Sequence, residues 1–312
     1  MVIAGFILGT LLGSLVKALT CRSLSNKSFL GRSYCPACKR SLRWYDLFPI
    51  ISYIFLKGRC RYCQKKIGIE YLAVEVVMGI LVGFLFWQQF QDFQSLDFAR
   101  DKFSIFNPST LLRINFQFSV FLFELVYKIF FITCLAILFL TDLKKMFIPD
   151  RIVLPAIWIS IIFITVITII KIIYLYYYLS QTVLGRLLLP PRSDYFYHHA
   201  YYTAELFLGS ILMGLLIGGF FMALIIITKG KGMGGGDVKL GAFMGLGLGF
   251  PNAPIATMLA FLLGAVVAIV LMVTGKKRFG QSIPFGPFLV LGSLMALFWG
   301  SHISNWYLHL SL

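Results

Sequence analysis

Charge is scarce in this chain of 312 residues: Lys, Arg, Asp and Glu together make up 13% of it, and only 12 residues are acidic. A soluble domain carries about 25% charged residues, so an ordinary water-exposed globular surface is excluded. Apolar residues fill the gap, at 59% of the chain with a mean hydropathy of +0.86. Other signatures are missing too. There is no Walker GK[ST], and no βαβ unit that would make the GxGxxG match at 230–235 a dinucleotide loop. No internal repeat is evident, and the paired broken helices of a transporter are not seen. The first segment, "MVIAGFILGTLLGSLVKALT", lacks a basic n-region and carries its Lys behind the apolar core. It reads as a retained helix rather than a cleaved signal.

What is present is a series of apolar stretches near the length of about 20 residues that spans a bilayer. They fall at 2–19, 71–90, 116–140, 152–178, 206–228, 238–252, 255–274 and 284–306, the sixth being short. The chain is therefore expected to be an all-α polytopic membrane protein of about eight transmembrane helices. Residues 1–19 form the first helix, 20–70 a cysteine-rich module and 71–312 the membrane domain. The net charge of +16 reflects topology: 12 of the 28 basic residues lie between Lys17 and Lys66, and 21 of 28 fall on one side if the N-terminus is outside. That bias follows the positive-inside rule and argues against nucleic acid as a partner. Residues 91–115 and 179–205 then become long outer loops, with His198 and His199 in exposed polar surroundings and Glu205 at a helix start.

Between the first two spans lies "YCPACKRSLRWYDLFPIISYIFLKGRCRYCQKK". Cys35 and Cys38 form one CxxC, Cys60 and Cys63 another, with 21 residues between the pairs. Each CxxC aims two thiolates at one point, and two such turns complete a tetrahedral zinc site. Two disulfides are the competing reading; a reducing cytoplasm favours the metal. Four cysteines leave no open coordination position, so the zinc is expected to be structural. Cys21 and Cys134 read as plain apolar residues.

Ionisable groups at membrane depth are costly and point to function. Glu124 and Lys128, spaced i,i+4, are expected to neutralise each other. Asp142 ends the third span in "FLTDLKKMFIPDRIVLP", and Asp237 opens the sixth directly after the glycines of "GMGGGDVK". Both belong to one membrane face, where two carboxylates sharing a proton can activate water against a peptide carbonyl; a lone helix cap at each place is the plainer alternative. Gly234 to Gly236 are expected to allow unusual backbone angles and close approach of a substrate strand. Asp150 reads as the N-cap of the fourth helix.

These motifs, "LRWYDLFPIISY", "KGRCRYC", "EYLAVE", "TDLKKMFIPD", "GMGGGDVKLGA" and "IPFGPFLVLG", in this order resemble the bacterial type IV prepilin peptidases, GxGD aspartic proteases of the inner membrane. The resemblance covers nearly the whole chain and sets the family's two catalytic aspartates on Asp142 and Asp237, with Lys239 in the GxGDxK motif. It implies cleavage of the basic leader from type IV prepilins and pseudopilins on the cytoplasmic side. It also implies N-methylation of the new N-terminus with S-adenosylmethionine. Gly234, Gly236 and Lys239 are expected to position substrate. Glu75 is a candidate to hold the cationic cofactor or the amine, a structural hydrogen bond being the equal alternative. A membrane scaffold or channel with a zinc knuckle is the reading from a different functional class.

Overall fold

The computed structural model describes residues 1–25, 28–29, 31–35, 37–98, 108–180, 186–190, 193–230, 233–275 and 284–310. Nine α-helices order these residues: α1 (Val2–Leu24), α2 (Ile51–Phe55), α3 (Ile69–Phe98), α4 (Pro108–Lys145), α5 (Asp150–Ser180), α6 (Tyr195–Ile227), α7 (Gly235–Leu248), α8 (Asn252–Val273) and α9 (Gly286–Leu310). A 3-10 turn at Trp44–Leu47 precedes α2. Seven of the helices are long and apolar enough to cross a membrane.

The expected sixth span at 238–252 is not among them. It is the 14-residue α7, about 21 Å long at 1.5 Å per residue, against a hydrocarbon core of about 30 Å. Gly249 ends it in the left-handed region at φ 62, and Pro251 follows, which stops the helix. The outer segments also differ from expectation. Helix α3 continues to Phe98 and α4 starts at Pro108, so most of 91–115 is helical; residues 99–107 lie outside the described residues. Residues 181–185 and 191–192 of the second segment lie outside them as well, and Tyr195 already begins α6. Glu205 is consequently inside a helix rather than at its start, and His198 and His199 sit in the first turns of α6, exposed. Hydropathy marks where lipid ends, but a helix propagates further wherever each added residue closes one more hydrogen bond.

The chain forms two compact units, Met1–Lys102 with Thr133–Thr141, and Phe103–Ile132 with Asp142–Leu312. In the first, α1 packs along α3. Gly5, Gly9 and Gly13 form a seam at every fourth residue, and a Cβ on Gly13 would stand 2.7 Å from the Glu75 Cα. Small residues let membrane helices approach backbone to backbone. The seam ends at Lys17, buried within the helix pair, whose ammonium meets Glu70 at 3.0 Å and lies 4.5 Å from the centre of the Tyr71 ring.

In the second unit the short α7 is central, touching α5, α6, α8 and α9. Its Gly245 meets Gly214 of α6, where added Cβ atoms would overlap the neighbouring backbone or Leu246. Phe131 packs against Phe243 in a tilted pair, with 4.9 Å between ring centres. Glu124 pairs with Lys171 of α5 at 2.8 Å, an ion pair that runs between helices.

Candidate active site

Asp142 lies in the last turn of α4, and Met146 closes that helix end at φ 49 with its N–H on the Asp142 carbonyl at 2.8 Å. Asp237 is the third residue of α7, where its Oδ2 accepts the Gly234 N–H at 3.3 Å. This is an N-terminal capping contact, and the positive end of the helix dipole favours a carboxylate there. Both side chains are nearly closed off from solvent, with Asp142 6% and Asp237 9% exposed. They are near enough for the charge of Asp142 to act on Asp237. Two carboxylates so placed cannot both ionise cheaply.

Two glycines bring the pair together. A Cβ on Gly236 would stand 2.9 Å from the Ile148 side chain, so this glycine lets the start of α7 settle against the 146–149 turn that follows Asp142. A Cβ on Gly286 would stand 2.5 Å from Oδ2 of Asp142. The Gly286 N–H, at the start of α9, reaches the same carboxylate. Oδ2 is buried and has no hydrogen bond from the described residues. A buried carboxylate oxygen of that kind calls for a hydrogen-bond donor, a role that a water molecule can fill. Unusual backbone angles at 234–236 are not observed: Gly234 is extended at φ −91, ψ 155, and the next two are helical. Nothing lies within 4 Å of a Cβ at Gly234 or Gly235.

The cysteine module is built from two matching turns. Cys35 accepts the Lys39 N–H at 2.8 Å and donates its own N–H to Arg40; Cys60 accepts Gln64 at 2.9 Å and donates to Lys65. Lys39 and Gln64 each take φ 56, and each turn closes with an antiparallel bridge, Tyr34 to Ser41 and Arg59 to Lys66. Together they gather all four sulfurs within 4.8 Å of one another, with Cys35 and Cys63 at 3.9 Å. A tetrahedron with metal–sulfur bonds of about 2.3 Å has edges of about 3.8 Å, so the four thiols fit one metal ion. The Lys65 N–H lowers the Cys63 thiol's pKa, but partial desolvation and hydrogen bonds with Cys60, Cys38 and Cys35 outweigh it and push it up to about 11. All six cysteines are free of disulfides.

Comparison with known proteins bears on both regions. Residues 7–89 match the Bacterial Peptidase A24 N-terminal domain, and residues 129–269 match the Type IV leader peptidase family. The chain belongs to the type IV leader peptidase family. It is 29% identical over 308 residues to a prepilin leader peptidase/N-methyltransferase of Bacillus subtilis, covering 98% of each chain. To proteins of the same description it is 28% identical in Aeromonas salmonicida, over 89% of this chain and 74% of that one. In Legionella pneumophila the figure is again 28%, over 90% and 76%. No solved structure matches.

In this leader peptidase family member the other expected residues have definite surroundings. Lys239 of α7 pairs with Asp150, the first residue of α5, at 2.6 Å. Asp150 therefore stands in the first turn of α5 as an acid in an ion pair. Glu75 accepts the Ile50 N–H at 2.8 Å and a hydrogen bond from Ser14. Cys21 lies 3.8 Å from the Tyr71 hydroxyl, and Cys134 is buried in α4. Two contributors were not singled out from the sequence. Gly286 sits within the quoted "IPFGPFLVLG", yet only the fold shows it facing Asp142. Asp46 binds Arg61 at 2.7 Å across the cysteine module, a pairing 15 residues apart that no local periodicity announces.

Proposed function

We propose that this protein is a membrane aspartic endopeptidase that removes the leader of type IV prepilins and pseudopilins and then N-methylates the exposed residue. The observation that supports the reading is the proximity of two buried aspartates, from α4 and α7, close enough for the charge of one to act on the other. One carboxylate takes a proton from water as it attacks the scissile carbonyl, and the other, protonated, gives its proton first to the carbonyl oxygen. The proton then passes to the leaving amine. The shared proton makes one carboxyl acid and its neighbour base at the same pH.

Gly234, Gly236 and Lys239 position the substrate strand. Gly286 keeps the space over Asp142 clear. The substrate's apolar helix lies among the spans while its basic leader stays in the cytoplasm. A scissile bond must leave the helix to be attacked, because a helical carbonyl is already hydrogen-bonded. The protein works in the bacterial inner membrane with the cysteine module and both aspartates on the cytoplasmic side, an orientation that the excess of basic residues in those segments supports.

Cys35, Cys38, Cys60 and Cys63 would hold a structural zinc, closed to substrate. S-adenosylmethionine supplies the methyl group when bound. Glu75 is the candidate to face the cofactor or the amine: its carboxylate has about four lone-pair sites, and the hydrogen bonds from Ile50 and Ser14 leave room for a cation. Incubating the purified enzyme with a prepilin, with and without S-adenosylmethionine, tests the reading. Intact masses should show leader and mature pilin in both cases, the pilin heavier by one methyl group only with the donor. Uncut prepilin would overturn it.

A further inference from the structure

Residues 47–55, "LFPIISYIF", carry no charge and turn much of their apolar surface outward. Phe55 is 83% exposed, Ile54 64% and Ile51 55%, with Leu47 and Phe48 also exposed. Taking such side chains out of water is favourable in proportion to the apolar area buried, so a row of them facing water is an unstable arrangement. The segment is also held in place at a cost. Ile50, just before α2, takes φ 60 and ψ −54, a region that a β-branched residue occupies only under constraint.

Glu75 supplies that constraint, through its hydrogen bond from the Ile50 N–H. Glu75 lies six residues after Ile69, about 9 Å along the α3 axis, within the Ile69–Gln91 stretch that is long and apolar enough to cross a membrane. Tyr53 adds a second tie, donating to the Ile67 carbonyl at 3.3 Å. The start of α2 is thereby tied beside the apolar part of α3, not above it. Around that level α3 exposes its own Val77 and Ile80. Lys57 and Arg59 follow the apolar row at once, both exposed, and Lys65 and Lys66 flank it from the second cysteine turn.

We infer that residues 47–55 are an interfacial anchor, seated between the headgroups and acyl chains of an anionic phospholipid leaflet. Ile51, Ile54 and Phe55 enter the apolar boundary, and Lys57 and Arg59 meet the phosphates. Amphipathic segments bind membranes in this way, through buried apolar area together with attraction of basic side chains to anionic lipid. Glu75 satisfies the Ile50 backbone N–H, which lipid could not do. The cysteine module is then fixed against the bilayer at a point other than its two chain ends. The inference rests on α3 crossing the membrane and is independent of the roles of Asp142 and Asp237.

The test is photocrosslinking of the full chain in vesicles of phosphatidylcholine and phosphatidylglycerol, with p-benzoylphenylalanine replacing Phe55 and, as a water-facing reference, Lys39. Position 55 should gain the mass of a phospholipid, phosphatidylglycerol being enriched over its share of the vesicle, and position 39 should not. The same substitution at Ile54 repeats the measurement should the Phe55 variant fail to fold. Replacing Lys57 and Arg59 together by Ser should abolish the phosphatidylglycerol enrichment and keep the adduct. Glu75→Ala should lower the lipid yield, whereas Glu75→Gln, whose amide oxygen still accepts the Ile50 N–H, should keep it. Lipid yields at 54 and 55 no higher than at 39 would overturn the anchor. So would adducts chiefly to another part of the chain, or to added prepilin.

Discussion

The cysteine module and the aspartate site solve the same problem, gathering reactive side chains, by opposite means. In the module the four cysteines come from two short turns with the same hydrogen-bond pattern, so local backbone geometry sets each pair of sulfurs. In the aspartate site each carboxylate comes from a different helix, 95 positions apart in sequence, and backbone close approaches at Gly236 and Gly286 decide whether they meet. As the proposed metal site, the module should be tolerant around its four cysteines and intolerant at them. The aspartate site should be intolerant also at residues that carry no functional group.

The largest effect expected is loss of cleavage in Asp142→Asn or Asp237→Asn, since an amide cannot relay the proton. Each should lower the rate by about 10²–10⁴-fold, with the double variant no worse than the singles because the pair acts as a unit. Progress curves of prepilin cleavage measure this, and metal content should not change. In the module the matching experiment is Cys35→Ser with Cys60→Ser. Elemental analysis should fall from about one zinc per chain to none, because two thiolates remain where four are needed.

Gly286→Ala comes next. Its Cβ would press on Oδ2 of Asp142 at 2.5 Å, and a displacement of about 1 Å at reacting groups can cost about 100-fold in rate. The loss should fall on kcat, with KM and zinc content kept. Gly236→Val should slow cleavage for a related reason, because the added methyls meet Ile148. Gly235→Ala, with open space around it, should stay within about 0.5 kcal/mol of the parent in stability and cut at a similar rate. Equal damage from the two would break the assignment of Gly236 to the approach between α7 and the 146–149 turn.

The smallest effect belongs to Lys239→Met. Its ion pair with Asp150 is half exposed, at 37% and 55% of the two side chains, and such pairs contribute about 0–1 kcal/mol. Thermal stability should hardly move, while KM should rise as the substrate strand loses a positioning cation.

Much of this was legible because the chemistry is carried by rare residues. Four cysteines in two CxxC pairs specify their own site, and with only 12 acidic residues in the chain, those near the spans stand out. The helical class and the cluster between the first two long helices follow from hydropathy and spacing alone. What was not legible depends on contacts between distant segments. Glu124 forms an ion pair with Lys171 on another helix, 47 positions away, which no periodicity along one helix announces. The stretch at 238–252 has the composition of a span, but Gly249 and Pro251 stop it at 14 residues. The glycines before Asp237 suggested unusual dihedrals, whereas Gly236 is used for proximity and Gly234 is simply extended. Gly286 has no side chain to signal anything; its role exists only in relation to Asp142.

The most direct measurement is the intact mass of a prepilin incubated, in parallel, with the parent enzyme and with Asp142→Asn and Asp237→Asn at equal folded concentration. The parent should convert the prepilin to leader and mature pilin, and both variants should leave it whole over the same period. Conversion by either variant at the parent rate would contradict the assignment of the two aspartates as the catalytic pair.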